Sequence, residues 1–222
     1  MKNNKLVIIG NTSNAKLAHY YFENDSDYNV VAFSVDAKFI DDNVFCGLPV
    51  VDFTTLEKKY PASDYDVFVA IGYNSMNKVR EKMYNLSKKK GYYLPNYISS
   101  KCSFFSQEKL GDNNLILEDN TIQPFVKIGS NNVFWSGNHI GHDAQICDHC
   151  FITSHVVISG FTVIENNCFL GVNSTFRDGI LVGAYSLIGA GATIMKNTDE
   201  ESVYLAQKPF KMNKKSLDLK IS

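Results

Sequence analysis

Residues 128–150 read IGSNNVFWSGNHIGHDAQICDHC, and large apolar residues stand at 128, 134, 140 and 146. The spacing is six, which is neither the 3.6 of a helix nor the 2 of a half-buried strand. Extended outward in both directions, the series runs from Leu110 through Ile116, Ile122, Ile128, Phe134, Ile140, Ile146, Ile152, Ile158, Ile164, Leu170, Phe176, Val182 and Ile188 to Ile194. All fifteen positions are apolar in a chain that is 45% hydrophobic. Chance would give this about once in 10⁵, so the period is structural. Gly follows six of the positions (111, 129, 141, 171, 183, 189). Small residues recur four places after them, at Ala144, Cys150, Val156, Thr162, Cys168, Ser174, Ser186 and Ala192. This is the pattern of a parallel β-helix built from hexapeptide repeats. Each hexad gives one short strand and one corner. Three hexads close a triangular coil, so fifteen give five coils uninterrupted by insertions.

The register also reads Cys147-Asp148-His149-Cys150, which imitates a metal or redox CxxC motif. Cys150 takes an inward small position and should stack on Cys168, while Cys147 stands where Gly is usual. No second cysteine pair completes a structural zinc site, so no metal is expected. The five cysteines (46, 102, 147, 150, 168) are read as free thiols.

Upstream of the hexads the period changes. Lys5–Ile9, Tyr28–Val35 and Asp66–Ile71 read as strands. Ala15–Glu23, Thr54–Tyr60 and Ser75–Lys90 read as helices, the last stopped by Gly91. Strands alternating with helices imply a small parallel α/β sheet, and ligands bind outside the carboxyl ends of its strands. Those ends are Gly10–Asn14, Asp36 and Gly72–Asn74. The chain therefore divides into an α/β domain over 1–100 and a β-helix over 101–222. A net charge of −1 argues against nucleic acid or a membrane surface as partner. No apolar run reaches the ~20 residues of a membrane span, and MKNNKLVIIGN has no signal-peptide core. The expected location is the cytoplasm.

The hexads, closed by IGAGATIMKNTDEESVYLAQKPFK, resemble the left-handed β-helix acyltransferases, and the α/β domain before them narrows the likeness. The chain is similar to the bacterial nucleotide-sugar acyltransferases, the group of the bacillosamine and perosamine N-acetyltransferases and the sialic acid O-acetyltransferase-like proteins. The resemblance implies a left-handed coil, a homotrimer, and acetyl-CoA in a groove between neighbouring β-helices. It places the nucleotide-linked amino sugar on the α/β domain, against Gly10, Asn11, Thr12, Asn14, Asp36, Gly72, Tyr73 and Asn74. It assigns His142 as catalytic base with Asp143 behind it. A histidine of ordinary pKa accepts a proton at neutral pH, and a carboxylate fixes its tautomer. Trp135, Asn138 and His139 are expected near the acceptor sugar. His155, Gly160, Gly171, Gly189, Ala190, Lys208 and Lys211 are expected along acetyl-CoA, with Lys214 and Lys215 extending the basic tail.

The chain departs from these relatives in three places. GNTSNAK carries fewer glycines than their GASGHG-like loop, with Asn14 where a histidine is frequent. Trp135 replaces an asparagine near the amine, and YLAQKPFKMNKKS replaces GNPAK. The same base and groove suit a hydroxyl, so O-acetylation stays open beside N-acetylation, as does a non-catalytic trimer. A β-helix metalloenzyme would need stacked histidines, and His139, His142, His149 and His155 show no 18-residue spacing.

Overall fold

The computed structural model describes residues 4–213 and 215–218. The α/β domain is built on β1 (Asn4–Ile9), followed by α1 (Ser13–Asn24) and β2 (Tyr28–Val35). A hairpin of β3 (Val44–Phe45) and β4 (Leu48–Asp52) comes next. Then follow α2 (Leu56–Lys59), β5 (Asp66–Val69) and α3 (Lys78–Lys89). The sheet order is β3-β4-β2-β1-β5.

Three expectations are corrected here. The sheet is mixed, because β3 pairs antiparallel with β4 while the other pairs are parallel. Its two-residue turn, Cys46-Gly47, is left-handed at both residues (φ +51° and +78°), the geometry that closes a twisted hairpin. The helix expected over 54–60 is a 3-10 turn, Phe53–Thr55, whose N-cap Asp52 accepts the Thr54 N–H, and then the four residues of α2. The helix expected from Ser75 starts at Lys78, because Ser75, Met76 and Asn77 all take left-handed φ (54°, 51° and 64°).

The β-helix follows the six-residue rule. Its two-residue strands stack in three parallel sheets, each strand 18 residues from the next except the last on face I, as in Ile116, Phe134 and Ile152. Face I carries the strands at 97, 115, 133, 151, 169, 187 and 203, face II those at 103, 121, 139, 157, 175 and 193, and face III those at 127, 145, 163 and 181. The inward series from Ile116 to Ile194 is buried, as are the small residues that follow it. Leu110 is half-buried against this core. Two strands in the same phase, Tyr97–Ile98 and Ser103–Phe104, precede Leu110. The register holds through Ile194. It then shortens, so that Thr198 bridges Val182 and Tyr204 pairs with Ile188.

Every sixth residue from Asn113 to Gly191 sits at a corner in left-handed backbone. Asn, Asp and Gly accept this readily, whereas Phe125, His149, His155, Phe161 and Tyr185 pay roughly 1 kcal/mol each. Stacked polar side chains tie the coils together. Asn114 Oδ1 accepts the Asn132 N–H (2.9 Å), and Asn132 Oδ1 accepts the Cys150 N–H (2.7 Å). Cys150 and Cys168 continue the column as buried thiols that donate to the carbonyls of Glu165 and Gly183.

Face I carries the α/β domain. Its outward Leu115, Val133 and Phe151 join Phe22, Phe33, Phe68 and Tyr97 in one cluster. Asn113 exchanges hydrogen bonds with the backbone of Val69 (2.8 and 3.2 Å). Arg80 of α3 is fully buried and donates to the carbonyls of Gly72, Asn131, His149 and Cys150 and to Asn77 Oδ1. Removal from water without a carboxylate partner lowers its pKa to about 10. Among the described residues, no helix is long and apolar enough to cross a membrane.

Candidate active site

The edge between faces II and III carries His142. Its place follows from the hexad: Ile140 points inward, Gly141 turns, and His142 leaves the corner outward, its side chain 51% exposed. The backbone N–H of His142 donates to Gln123 Oε1 (2.8 Å). Its Nδ1 lies 2.9 Å from Asp143 Oδ2. A carboxylate only accepts at neutral pH, so this contact places the proton on Nδ1 and leaves Nε2 as the free lone pair. Asp143 reaches back along its own sequence neighbour because it occupies the left-handed corner position (φ +59°).

One coil on, Gly160 lies beneath the imidazole. A Cβ on Gly160 would stand 3.0 Å from His142 Cε1 and Nε2, and 3.1 Å from Asp178 Oδ1. Two backbone bonds fix this column: the Phe161 N–H donates to the His142 carbonyl (3.0 Å) and the Gly179 N–H to the Gly160 carbonyl (2.9 Å). The Phe161 ring packs edge-on against His142, centroids 5.0 Å apart. Gln123, Phe161 and Asp178 were not singled out by the sequence reading. Counting by coils from His142 finds the column: one coil on is Gly160, two is Asp178.

The loops at the carboxyl ends of β1, β2 and β5 form a second locus. Gly10 has φ +129°, and a Cβ there would lie 3.0 Å from the Ala70 carbonyl. Asn14 closes over Gly72, where a Cβ would meet its Nδ2 at 2.8 Å. Asn11 donates to the Phe39 carbonyl (2.8 Å), and the Phe39 N–H bonds the Asp36 carbonyl, joining the first loop to the second. Thr12 is the N-cap of α1 and makes no side-chain cap bond. Asn74 is exposed. Tyr73, half-exposed, rests on Phe151 and Phe169 of face I at 5.0 and 4.8 Å between centroids.

The remaining expected residues fall elsewhere. Trp135, Asn138, His155, Gly171, Gly189 and Ala190 lie along the edge between faces I and II. His139 is on face II, paired with Thr121 and Val157. Asn138 is buried, donates to the Trp135 carbonyl and accepts the Val156 N–H, so its amide is committed inside the coil and cannot reach a sugar. The His155 ring lies over Gly137, where a Cβ would be 2.5 Å from its Nδ1. Lys208, Lys211 and Lys215 are exposed beyond the last strand, and Lys214 lies outside the described residues. Within one chain, His142 therefore stands at the edge opposite face I, away from the loops at the carboxyl ends of β1, β2 and β5. No group of three or more potential metal ligands occurs among the described residues.

Residues 5–86 match the family described as PglD N-terminal domain, and residues 161–196 match the bacterial transferase hexapeptide family. Among solved structures, the acetyltransferase domain of PglB from Neisseria gonorrhoeae is similar with a TM-score of 0.81 at 21% identity, covering 92% of this chain and 97% of that one. PerB from Caulobacter crescentus, solved with CoA and GDP-perosamine, gives 0.81 at 23%, covering 91% and 94%. WeeI from Acinetobacter baumannii gives 0.75 at 20%, covering 89% and 94%. A curated relative, the acyl-[acyl-carrier-protein]–UDP-N-acetylglucosamine O-acyltransferase of Pseudomonas paraeruginosa, is 28% identical over 95 residues, 40% of this chain and 37% of its own length. The chain thus spans little more than a third of that relative. It joins a PglD-type N-terminal domain to transferase hexapeptide repeats, in the fold of the left-handed β-helix sugar acyltransferases.

Proposed function

We propose that this chain is an acetyl-CoA-dependent N-acetyltransferase that acylates the amino group of a nucleotide-linked amino-deoxy sugar for surface polysaccharide or glycan synthesis. The observation that carries the reading is the His142–Asp143 pair at 2.9 Å, with the Cε1–Nε2 side of the ring bordering a glycine-cleared space. A base with its lone pair exposed and its tautomer fixed is what attack by a sugar amine on a thioester requires.

The sugar ammonium first loses a proton. The neutral amine then attacks the thioester carbonyl, and His142 Nε2 takes a second proton from nitrogen. As the C–S bond breaks, the imidazolium returns its proton to sulfur. Amide and free thiol result, with one proton released to water. The negative charge of the tetrahedral intermediate calls for a backbone N–H donor nearby, which the turn at Gly160 supplies. No covalent enzyme intermediate is needed. PerB, solved with CoA and GDP-perosamine, supports the pairing of an acyl-CoA with a nucleotide sugar.

Assembly as a homotrimer completes the site. Sugar loops on face I and a base at the opposite edge suit a sugar bound by one chain and acylated at the His142 of a neighbour. Exposed Phe125 and Phe161, at corners of the same edge on either side of Asp143, suit burial there. A soluble trimer acting in the cytoplasm, where its donor is made, fits this reading.

The test is thiol release from acetyl-CoA with a panel of nucleotide-linked amino sugars. His142→Ala is expected to lower kcat by about 100-fold or more. Turnover that survives the substitution would remove His142 as the base.

A further inference from the structure

The space beneath His142 has a second acidic wall. A point 3.0 Å from His142 Nε2 lies 3.1 Å from Asp178 Oδ1, and only the missing side chain of Gly160 keeps it clear. The Asp178 carboxylate is exposed and makes no hydrogen bond or ion pair among the described residues. Its backbone is nonetheless held in line with the base by the Gly179 N–H to Gly160 carbonyl bond. Asp143 occupies Nδ1 of the same ring, so a second carboxylate stands near the imidazole, beyond the clearing beside its Cε1–Nε2 bond.

These two carboxylates have different uses. Asp143 contacts the histidine directly. Asp178 stands on the far side of that clearing, alongside the Cε1–Nε2 bond of the ring, where an acceptor hydrogen-bonded to Nε2 comes within its reach. A sugar ammonium seated there carries three N–H donors and a positive charge, so it can donate to Nε2 and to Asp178 Oδ1 together while a third bond holds it to the ring carbon. A hydroxyl has one donor. If it serves Nε2, none is left for the carboxylate, which then faces the oxygen's lone pairs without a hydrogen bond.

We propose that Asp178 is a specificity-determining residue that recognises the ammonium form of the acceptor beside His142 and disfavours a hydroxyl in the same place. This rests on the N-acetylation reading above and deepens it, since it names the feature that separates amine from alcohol. The proton balance agrees. An ammonium becomes an amide by losing two protons, of which one reaches the thiol through His142 and one goes to solvent. Asp178, hydrogen-bonded to the ammonium and open to water, lies on that second exit. An alcohol acceptor releases no net proton and needs no such exit.

The experiment uses the full-length chain, acetyl-CoA, and pairs of nucleotide sugars that differ only in amino or hydroxyl at the acceptor carbon. Thiol release is measured for wild type, Asp178→Asn, Asp178→Glu and His142→Ala. Loss of one charge-assisted hydrogen bond at an exposed site predicts that Asp178→Asn raises KM for the amino sugar about 10-fold. It should leave KM for acetyl-CoA unchanged and narrow the amine-to-hydroxyl preference, with partial recovery in Asp178→Glu. Asp178 is exposed, so the melting temperature serves as the control for folding. If Asp178→Asn keeps the wild-type KM and preference while His142→Ala is inactive, Asp178 has no part in selection and the N-acetylation reading stands. If the wild type acylates only the hydroxyl sugar, or neither sugar, the N-acetylation reading fails and the role of Asp178 fails with it.

Discussion

Asp143 and His142 are adjacent in sequence, and side chains of adjacent residues usually diverge. They meet here because Asp143 occupies the left-handed corner of its hexad, which swings its carboxylate back onto Nδ1 at 2.9 Å. The pair is 40–51% exposed, so solvent screens it. Its contribution lies in fixing the tautomer more than in binding energy. Asp143→Asn is therefore expected to reduce kcat by about 10-fold, less than the loss in His142→Ala, with KM for both substrates nearly unchanged. Equal losses in the two variants would show that the carboxylate does more than orient the ring. The role proposed for His142 rests on resemblance, since nothing in NHIGHDAQI distinguishes a working histidine from a solvated one. Asp178 was legible through the coil arithmetic, but only once a reason existed to look two coils beyond the base.

At the scale of elements, the hexads were readable because a large apolar residue every sixth position leaves no other way to bury itself. The hairpin β3–β4 was not. Its strands are short, and Pro49 inside the second argues against a strand until the fold places it next to an edge. The late start of α3 was equally hidden, because three consecutive left-handed residues without a glycine have no local signature. Their cause is tertiary: Asn77 turns its amide to the carbonyls of Asn167 and Cys168. The cysteine column tests the hexad reading chemically. Burial raises the thiol pKa of Cys147 and Cys102, the latter to about 11, and raises that of Cys150 strongly. In the native protein a thiol reagent at pH 8 should label Cys46 quickly, Cys102 and Cys147 slowly, and Cys150 and Cys168 only after denaturation. Rapid labelling of both Cys147 and Cys150 would instead indicate an open, reactive CxxC.

At the scale of the molecule, the two domains are joined by polar contacts around a buried cation. Arg80 finds carbonyls and an amide oxygen but no carboxylate among its hydrogen-bond partners. His149 lies in the same junction, with Asn131 Nδ2 donating to its Nδ1 at 2.8 Å and the Tyr84 ring beside it. Desolvation lowers the pKa of His149 below its ordinary value of 6.5; the charges of Glu81 and Asp148 oppose this in part, and the Arg80 charge adds a smaller push downward. The folded state thus binds the proton more weakly than the unfolded chain. The stability from keeping His149 neutral is complete above pH 6.5 and is lost as pH falls through the lower folded value. A lower melting temperature at pH 5 than at pH 7 is expected. His149→Gln should flatten that slope. An unchanged slope in the variant would place the acid sensitivity elsewhere.

The coil also sets the grain of the site. Along the edge that bears His142, Gly160 and Asp178, backbone positions are available only in steps of one strand spacing, about 4.8 Å. No loop can slide His142 a fraction closer to the Asp178 carboxylate. The gap between them is two such steps less the reach of two side chains, and one absent side chain leaves it open. A prism of this kind behaves as a ruler with fixed marks. Under the proposed function, acceptors of different size or charge would be accommodated by exchanging side chains at set marks, while the backbone that carries them keeps the same pitch.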